Sequence, residues 1–199
     1  MQNKKLRLGI TGGIGSGKTL ASKYFGKLGF PVIYADDVAK ELYRTSSKVK
    51  NRLVREFGRG ILDDKGNISR GNVRRIIFTG KKNIKRVNAV VHPFVIKEID
   101  RLIKKNKNRI IFVETAIMME SGYSGRMDYV ILIYANKALR IKRVRNRDGL
   151  SAEKIKKLIS LQMDERKKIK LADFIIKNNS TKAELFKSLK SFVKILNSL

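Results

Sequence analysis

The sequence has no cysteine and few acidic residues: 17 Asp and Glu stand against 46 Lys and Arg. The absence of cysteine excludes disulfide bonds and thiolate metal sites, and it fits a reducing compartment. No apolar run approaches the ~18 residues that a membrane-spanning helix needs. The opening MQNKKLRLGI also lacks the long apolar segment of a secretory signal. We therefore expect a soluble, cytoplasmic protein that does not bind membranes.

The formal net charge of +29 has two explanations. One is nucleic-acid binding, because a positive field attracts polyanions. The other is a general bias of the genome towards lysine, since lysines are spread along the chain, as in KKNIKR and IKKNKNR. The interleaved aromatic residues of a single-strand stacking platform are not evident. We favour the bias and expect no nucleic-acid partner, although the field would attract small anions.

The order of the elements indicates a parallel α/β sheet with a helical insertion. KLRLGI (5–10) ends as a strand, KTLASKYFGKLG (18–29) has helical spacing, and PVIYA (31–35) enters a second strand. Residues 37–107 show helical patterns and no convincing strand, which predicts the insertion. Later strands are predicted at 109–114, 128–135 and 173–177, with two helices between the last two and one more helix after them.

Residues 12–19, GGIGSGKT, match the phosphate-binding pattern G-x-x-x-x-G-K-[ST] in full. Such a loop wraps a phosphate with its own N–H groups, and the helix that follows points its positive end at the same anion. The lysine then reaches the β- and γ-phosphates, and the threonine hydroxyl can ligate Mg²⁺. We predict that the whole loop binds a nucleotide: Gly12, Gly13, Ile14, Gly15, Ser16, Gly17, Lys18 and Thr19.

The loop alone does not distinguish a kinase from a GTPase or an ATP-driven machine, but no N-K-x-D base-reading element is present at a strand end. A kinase also needs a carboxylate near the acceptor hydroxyl. The candidate is Asp36, at the carboxyl end of the second strand, where ligands of parallel sheets bind. Its neighbour Asp37 is the rival, and both acids could instead cap the next helix.

Cations over the transferred phosphate would come from RIKRVRNRDG (140–149). Arg140, Arg143 and Arg147 recur at i, i+3 and i+7, which places them on one helical face. A solvated basic face is the alternative explanation for this spacing.

Taken together, these residues closely resemble the dephospho-coenzyme A kinase family nearly from end to end. The shared motifs, in the family's order and spacing, are LGITGGIGSGK (8–18), LGFPVIYAD (28–36), VHP (91–93), ESG (120–122), RxxxRDGLS (143–151), Gln162 and AD…N (172–178).

The resemblance implies a three-layer α/β P-loop kinase fold with a parallel five-stranded sheet. It implies a nucleotide-binding core of residues 1–36, 108–138 and 166–199, a helical acceptor domain at 37–107 and a helical lid at 139–165. ATP would be the phosphate donor, with Mg²⁺, and dephospho-coenzyme A would be phosphorylated on its ribose 3′-hydroxyl. A monomer is favoured.

The resemblance also implies roles for individual residues. Asp36 matches the proposed base or hydroxyl-orienting group, and Arg143 and Arg147 match lid positions. His92 and Glu120 match acceptor-side positions, although a single histidine before a proline is, taken alone, more often structural. Asn178 falls where such kinases often contact adenine.

Two departures from the family pattern affect the site. Tyr34 stands where many members have an acid, which would shift Mg²⁺ binding towards Thr19, Asp36 and water. AIMM (116–119) replaces a proline-leucine-leucine run, so we expect these side chains to line the acceptor side with a different fit. Two rival functions stay open at this point: a kinase for another nucleoside-like acceptor, and a basic nucleic-acid-binding P-loop ATPase.

Overall fold

The computed structural model describes residues 5–196, and its centre is a five-stranded sheet. The strands are β1 (Leu6–Thr11), β2 (Val32–Tyr34), β3 (Ile110–Glu114), β4 (Tyr129–Tyr134) and β5 (Phe174–Lys177). Their order in the sheet is β2-β3-β1-β4-β5, and β1 runs parallel to both of its neighbours. The predicted α/β fold class with a parallel five-stranded sheet is confirmed.

Nine α-helices lie within the described residues. In chain order they are α1 (Lys18–Lys27), α2 (Ala35–Thr45), α3 (Ser47–Phe57), α4 (Arg70–Phe78), α5 (Lys81–Lys105), α6 (Lys137–Asp148), α7 (Ala152–Ser160), α8 (Glu165–Leu171) and α9 (Lys182–Leu196). No helix in this part of the chain is long and apolar enough to cross a membrane.

The chain divides into two compact units, which we call the sheet unit (residues 5–33 and 107–196) and the helical unit (residues 34–106). The helical unit therefore interrupts the sheet unit between β2 and β3. The proposed functions of the two ranges, acceptor binding by 37–107 and lid closure by 139–165, stay predictions.

The sheet unit buries an aromatic core on one face of the sheet. Leu8 and Ile10 of β1 point into it because alternate strand residues share a face. Phe25 of α1 stacks on Phe112 of β3 with ring centroids 4.4 Å apart, and Phe192 of α9 meets Phe25 edge to face. Helices α1 and α9 thus cover this face and fix the position of the loop that precedes α1.

The helical unit is built around α5, which is contacted by α2, α3 and α4. Its apolar residues recur every fourth position, so they form one stripe along the helix. All members of this stripe are buried: Val87, Val91, Val95, Ile99 and Ile103. Pro93 lies inside α5.

Two sequence-based expectations are wrong. Three helices, not two, separate β4 from β5; the missed one, α8, has a weak apolar pattern and is anchored instead by the fully buried Lys168. Met118 was expected on the acceptor side, yet its side chain is fully buried, and a Cβ added to Gly9 of β1 would lie 2.9 Å from its terminal carbon. Met118 is therefore a core residue.

Candidate active site

The glycine-rich loop connects the end of β1 to the start of α1, as its sequence predicts. Gly17 is the N-cap of α1 with a left-handed φ of 95°, and the first turn of the helix contains no acidic residue. Inside the loop, the backbone N–H of Ser16 donates to the carbonyl of Gly13 at 3.0 Å. The N-terminal amides of α1 and its positive dipole end therefore meet the loop with no acidic residue from the helix's own first turn, which suits an anion.

The outer side of the loop is held by three side chains that we call the loop clasp: Arg140, Gln162 and Glu165. Arg140 Nε donates to the Ile14 carbonyl at 2.8 Å, and Gln162 Oε1 accepts from the Ile14 N–H at 2.9 Å. The Arg140 guanidinium also forms an ion pair with Glu165. Both backbone groups of Ile14 are thus bonded to residues of α6 and of the segment before α8.

Of the two environments that the sequence suggested for Arg140, the solvated basic face is wrong, and the place over the transferred phosphate stays a prediction. Its side chain is buried, with 3% exposure of the residue, so it is not part of a solvated basic face. It packs so closely on the loop that a Cβ on Gly13 would lie 2.1 Å from Nη2. A side chain at position 13 would therefore displace the Arg140 guanidinium, which bonds to the loop backbone.

Asn178, which directly follows β5, also bonds to the phosphate-binding loop. Its Nδ2 donates to the Ser16 carbonyl at 2.8 Å, and its Oδ1 accepts from Arg143 Nη2 at 3.4 Å. A Cβ on Gly17 would lie 2.3 Å from this Nδ2. The Asn178 amide is therefore committed to the loop and to Arg143, and its predicted adenine contact stays a prediction.

Lys18 and Thr19 converge on a carboxylate that the sequence-based reasoning missed, Glu114 at the end of β3. Lys18 Nζ lies 3.5 Å from Glu114 Oε1, and Thr19 Oγ1 donates to Glu114 Oε2 at 3.3 Å. Glu114 is paired with Ile10 in the strand register and is 6% exposed. The rule that ligand-facing residues follow parallel strands, which singled out Asp36, would also have found Glu114.

Arg143 and Arg147 lie on α6 in different environments. Arg143 is half-buried, and its Nη1 is a buried atom without a hydrogen-bond partner among the described residues. Arg147 is exposed and makes two hydrogen bonds to the neighbouring Asp148, at 2.7 and 2.8 Å. Their predicted roles over the transferred phosphate stay predictions.

Glu120 is bonded within the sheet unit. Its Oε1 lies 2.8 Å from Lys168 Nζ and accepts from the Met163 N–H at 2.9 Å. Lys168 Nζ also donates to the carbonyl of Ala116 at 2.9 Å. This arrangement assigns Glu120 a structural contact, and its predicted part in acceptor binding stays a prediction.

Asp36 and His92 belong to the helical unit. Asp36 is exposed in the first turn of α2, which begins directly after β2. The N-cap of α2 is Tyr34, so neither Asp36 nor Asp37 occupies the capping position; Asp37 instead pairs with Lys40. His92 is half-buried on α5, its Nε2 has no partner in the described chain, and burial lowers the pKa of this histidine.

Comparison with known proteins identifies a family that agrees with this site. A model of the family described as "Dephospho-CoA kinase" covers residues 6–184. The chain belongs to the dephospho-CoA kinase family. A dephospho-CoA kinase from Fusobacterium nucleatum is 33% identical over 189 residues, which are 95% of this chain and 97% of that relative.

Solved structures agree with the family assignment. A dephospho-CoA kinase from Campylobacter jejuni has a TM-score of 0.67 and 30% identity, covering 98% of both chains. A Thermus thermophilus protein has a TM-score of 0.83 and 28% identity, covering 97% of this chain and 98% of its own. The loop, its lysine and the parallel sheet are thus those of a P-loop kinase.

Proposed function

We propose that this chain transfers the γ-phosphate of ATP to the ribose 3′-hydroxyl of dephospho-coenzyme A, producing coenzyme A and ADP. The observation that carries the proposal is the membership of the dephospho-CoA kinase family over residues 6–184. The site agrees with it, because Lys18, Thr19 and Glu114 converge at the start of α1 beside the phosphate-binding loop.

Phosphoryl transfer is accelerated mainly by positioning the donor and acceptor and by neutralising the negative charge of the phosphates. The loop amides and the N-terminus of α1 bind the phosphates, and Lys18 reaches the β- and γ-oxygens as a point charge. Arg143 supplies further positive charge to the transferring group. Asp36 orients the 3′-hydroxyl and accepts its proton as the new P–O bond forms, while the bond to the ADP oxygen breaks.

A divalent ion fits the residues present. Within residues 5–196 no three His, Cys, Asp or Glu side chains cluster as a metal site, so the protein itself offers few ligands. Mg²⁺ commonly takes one or two protein oxygens together with phosphate oxygens and water. Thr19 and Glu114 would hold it, with Asp36 as the further predicted ligand. When bound, the ion neutralises the phosphate oxygens.

An ADP-release assay with ATP, Mg²⁺ and dephospho-coenzyme A tests the reaction, with Lys18→Ala as the blank. We expect acceptor-dependent turnover, a product heavier by one phosphate, and a loss of at least about 10²-fold in kcat in the blank. ADP release without a phosphorylated acceptor would refute the proposal. Adenosine and nucleoside monophosphates, offered in competition, test whether a smaller acceptor is preferred.

Two isosteric variants distinguish the roles of the Asp36 and Glu114 carboxylates. Asp36→Asn should lower kcat by about 10²-fold or more even at saturating Mg²⁺, as expected for a general base. Glu114→Gln should instead raise the Mg²⁺ concentration needed for half-maximal activity. If Asp36→Asn stays within a few-fold of the wild type in kcat, Asp36 is not the base.

A further inference from the structure

A cavity of about 370 Å³ lies within the helical unit, at the meeting of α2 and α4. Its lining residues are Tyr43 from α2 and Arg70, Gly71, Val73, Arg74 and Ile77 from α4. Val73 is buried and gives the cavity an apolar wall, whereas both arginines are exposed. The lining contains no carboxylate, so its charged chemistry is entirely cationic.

Three arginines of the helical unit have a described ion pair with an acid. Arg44 pairs with Glu41, Arg86 with Glu56 and Arg101 with Glu98. The Arg70 side chain, in contrast, forms no hydrogen bond or ion pair with the residues whose side chains the structure describes, although it interacts electrostatically with Tyr43. A guanidinium offers a planar set of donors that matches a phosphate group, and here that set faces a cavity instead of an acid.

Tyr43 adds a neutral donor to the same wall. Burial raises the pKa of its hydroxyl, and this effect outweighs the opposing influence of Arg70. The hydroxyl therefore keeps its proton at neutral pH and can donate a hydrogen bond to an anionic oxygen. The cavity thus combines donors with an apolar wall.

One lining residue of the cavity, Tyr43, lies on the same helix as Asp36. Asp36 and Tyr43 are seven residues apart on α2, so they lie on the same face and about 10 Å apart along the helix axis. The two groups interact electrostatically, and Arg70 interacts with Tyr43. Tyr43, which lines the cavity, is therefore two helical turns from the proposed base on the same helix, and the two arginines line the cavity from α4.

We propose that this cavity binds the diphosphate of dephospho-coenzyme A, with Arg70 as the principal phosphate contact and Arg74 and Tyr43 beside it. The inference rests on the proposed function, in which Asp36 engages the ribose 3′-hydroxyl. In the acceptor, the diphosphate is attached at the 5′ position of that same ribose, so the hydroxyl and the diphosphate are separated by one sugar ring. An acceptor lacking the diphosphate would forgo these contacts.

The test compares two acceptors that share the 3′-hydroxyl, dephospho-coenzyme A and adenosine. Arg70→Gln should raise KM for dephospho-coenzyme A by about 10- to 100-fold, the range expected for a lost hydrogen bond to a charged group. KM for ATP and kcat/KM for adenosine should stay within about twofold of the wild type, because neither involves the contact. Arg70→Lys should fall between, since it keeps the charge and loses the planar donors.

Arg55→Gln is the matched control, because Arg55 is an exposed arginine of the same unit that does not line the cavity. It should behave as the wild type with both acceptors. Circular dichroism should show that all variants remain folded. An unchanged KM for dephospho-coenzyme A in Arg70→Gln, or an equal loss with adenosine, would overturn the proposal.

Calorimetric titration of dephospho-coenzyme A without ATP keeps the two proposals distinguishable. If the wild type binds the compound more tightly than Arg70→Gln does, the cavity assignment stands even when no phosphate is transferred, and only the proposed reaction fails. If the two proteins bind it equally, or neither binds it, the cavity assignment fails whatever the kinetics show.

Discussion

Two ion pairs, one in each unit, show how differently the same kind of contact is used. In the sheet unit, Lys168 pairs with Glu120, and the two side chains are 0% and 21% exposed. In the helical unit, Arg86 pairs with Glu56, and both side chains are at least 40% exposed. Removing one partner of a buried pair leaves a charge away from water, whereas an exposed pair is screened by solvent. The buried pair therefore determines how Lys168 and Glu120 pack against each other, whereas the exposed pair contributes only a small part of the free energy of unfolding.

The same difference holds for the polar contacts around the phosphate-binding loop. Ile14 and Gln162 are 148 positions apart in sequence, and Ser16 and Asn178 are 162 apart. In the helical unit, three of the described ion pairs instead join residues at i and i+3: Asp37–Lys40, Glu41–Arg44 and Glu98–Arg101. The shape of the loop thus depends on distant residues, while the helices of the other unit carry mostly local pairs.

The largest effect on stability is expected from Glu120→Gln. The substitution leaves the fully buried Lys168 ammonium without its counter-charge, and such a loss costs about 3 kcal/mol of unfolding free energy. Urea denaturation measures it. A change below about 1 kcal/mol would mean that water reaches Lys168 and that the pair does not specify the packing.

A smaller effect is expected from Arg140→Gln, which removes the Arg140 contact from the loop clasp. We expect KM for ATP to rise about tenfold, since one charge-assisted hydrogen bond to the Ile14 carbonyl is lost, with little change in KM for the acceptor. Lys142→Gln, an exposed position on the same helix, is the control. Equal KM values for ATP in the two variants would contradict a role of the clasp in nucleotide binding.

Glu56→Gln is the surface counterpart of Glu120→Gln and should cost at most about 1 kcal/mol. Its effect should shrink further when salt is added, because exposed charges are screened. The two glutamate variants, measured side by side in urea with and without salt, therefore test the comparison directly. A cost for Glu56→Gln as large as that for Glu120→Gln would show that burial does not separate the two pairs.

The smallest effect is expected from His92, the only histidine of the sequence. Burial lowers its pKa below the ordinary value of 6.5, so the folded protein binds fewer protons at this site than the unfolded chain. By linkage, the contribution of this group to stability falls as the pH drops through and below 6.5. When the pH is lowered from about 7.5 to about 5.5, the unfolding free energy of His92→Gln should therefore rise relative to that of the wild type, because the variant lacks this loss. An NMR titration of the ring giving a pKa at or above 6.5 would contradict this.

Much of the fold could be predicted from the sequence, because its signals are local. The glycine loop is flanked by an apolar run and a helical pattern, and the structure places β1 and α1 there. Ser151 stands directly before a helical pattern, and its side chain accepts from the Lys154 N–H as the N-cap of α7. In contrast, α8 was missed because its anchor is a buried lysine, which a search for apolar periodicity passes over.

The candidate site was only partly accessible to the same reasoning. Lys18 and Thr19 belong to a contiguous motif, so their proximity follows from the chain itself. Gln162 and Glu165 lie about 150 residues away from the loop, and no local pattern connects them to it, whereas Glu114 could be found only from its place at the end of a strand. The helical face that groups Arg140 with Arg143 and Arg147 was correctly identified, yet their different burial could not be seen.

The sequence alone was sufficient for the family, through the resemblance of motifs along the whole chain. It was also sufficient for the phosphate-binding loop and the parallel sheet, because glycine spacing and apolar periodicity act over a few residues. Folding was needed to decide which charged groups are buried and with what partner. Lys168 and Arg140 are two of many basic residues in the sequence, and nothing local distinguishes them. Their environments arise only when strands and helices distant in the chain pack together, since desolvation depends on everything that surrounds a side chain in space.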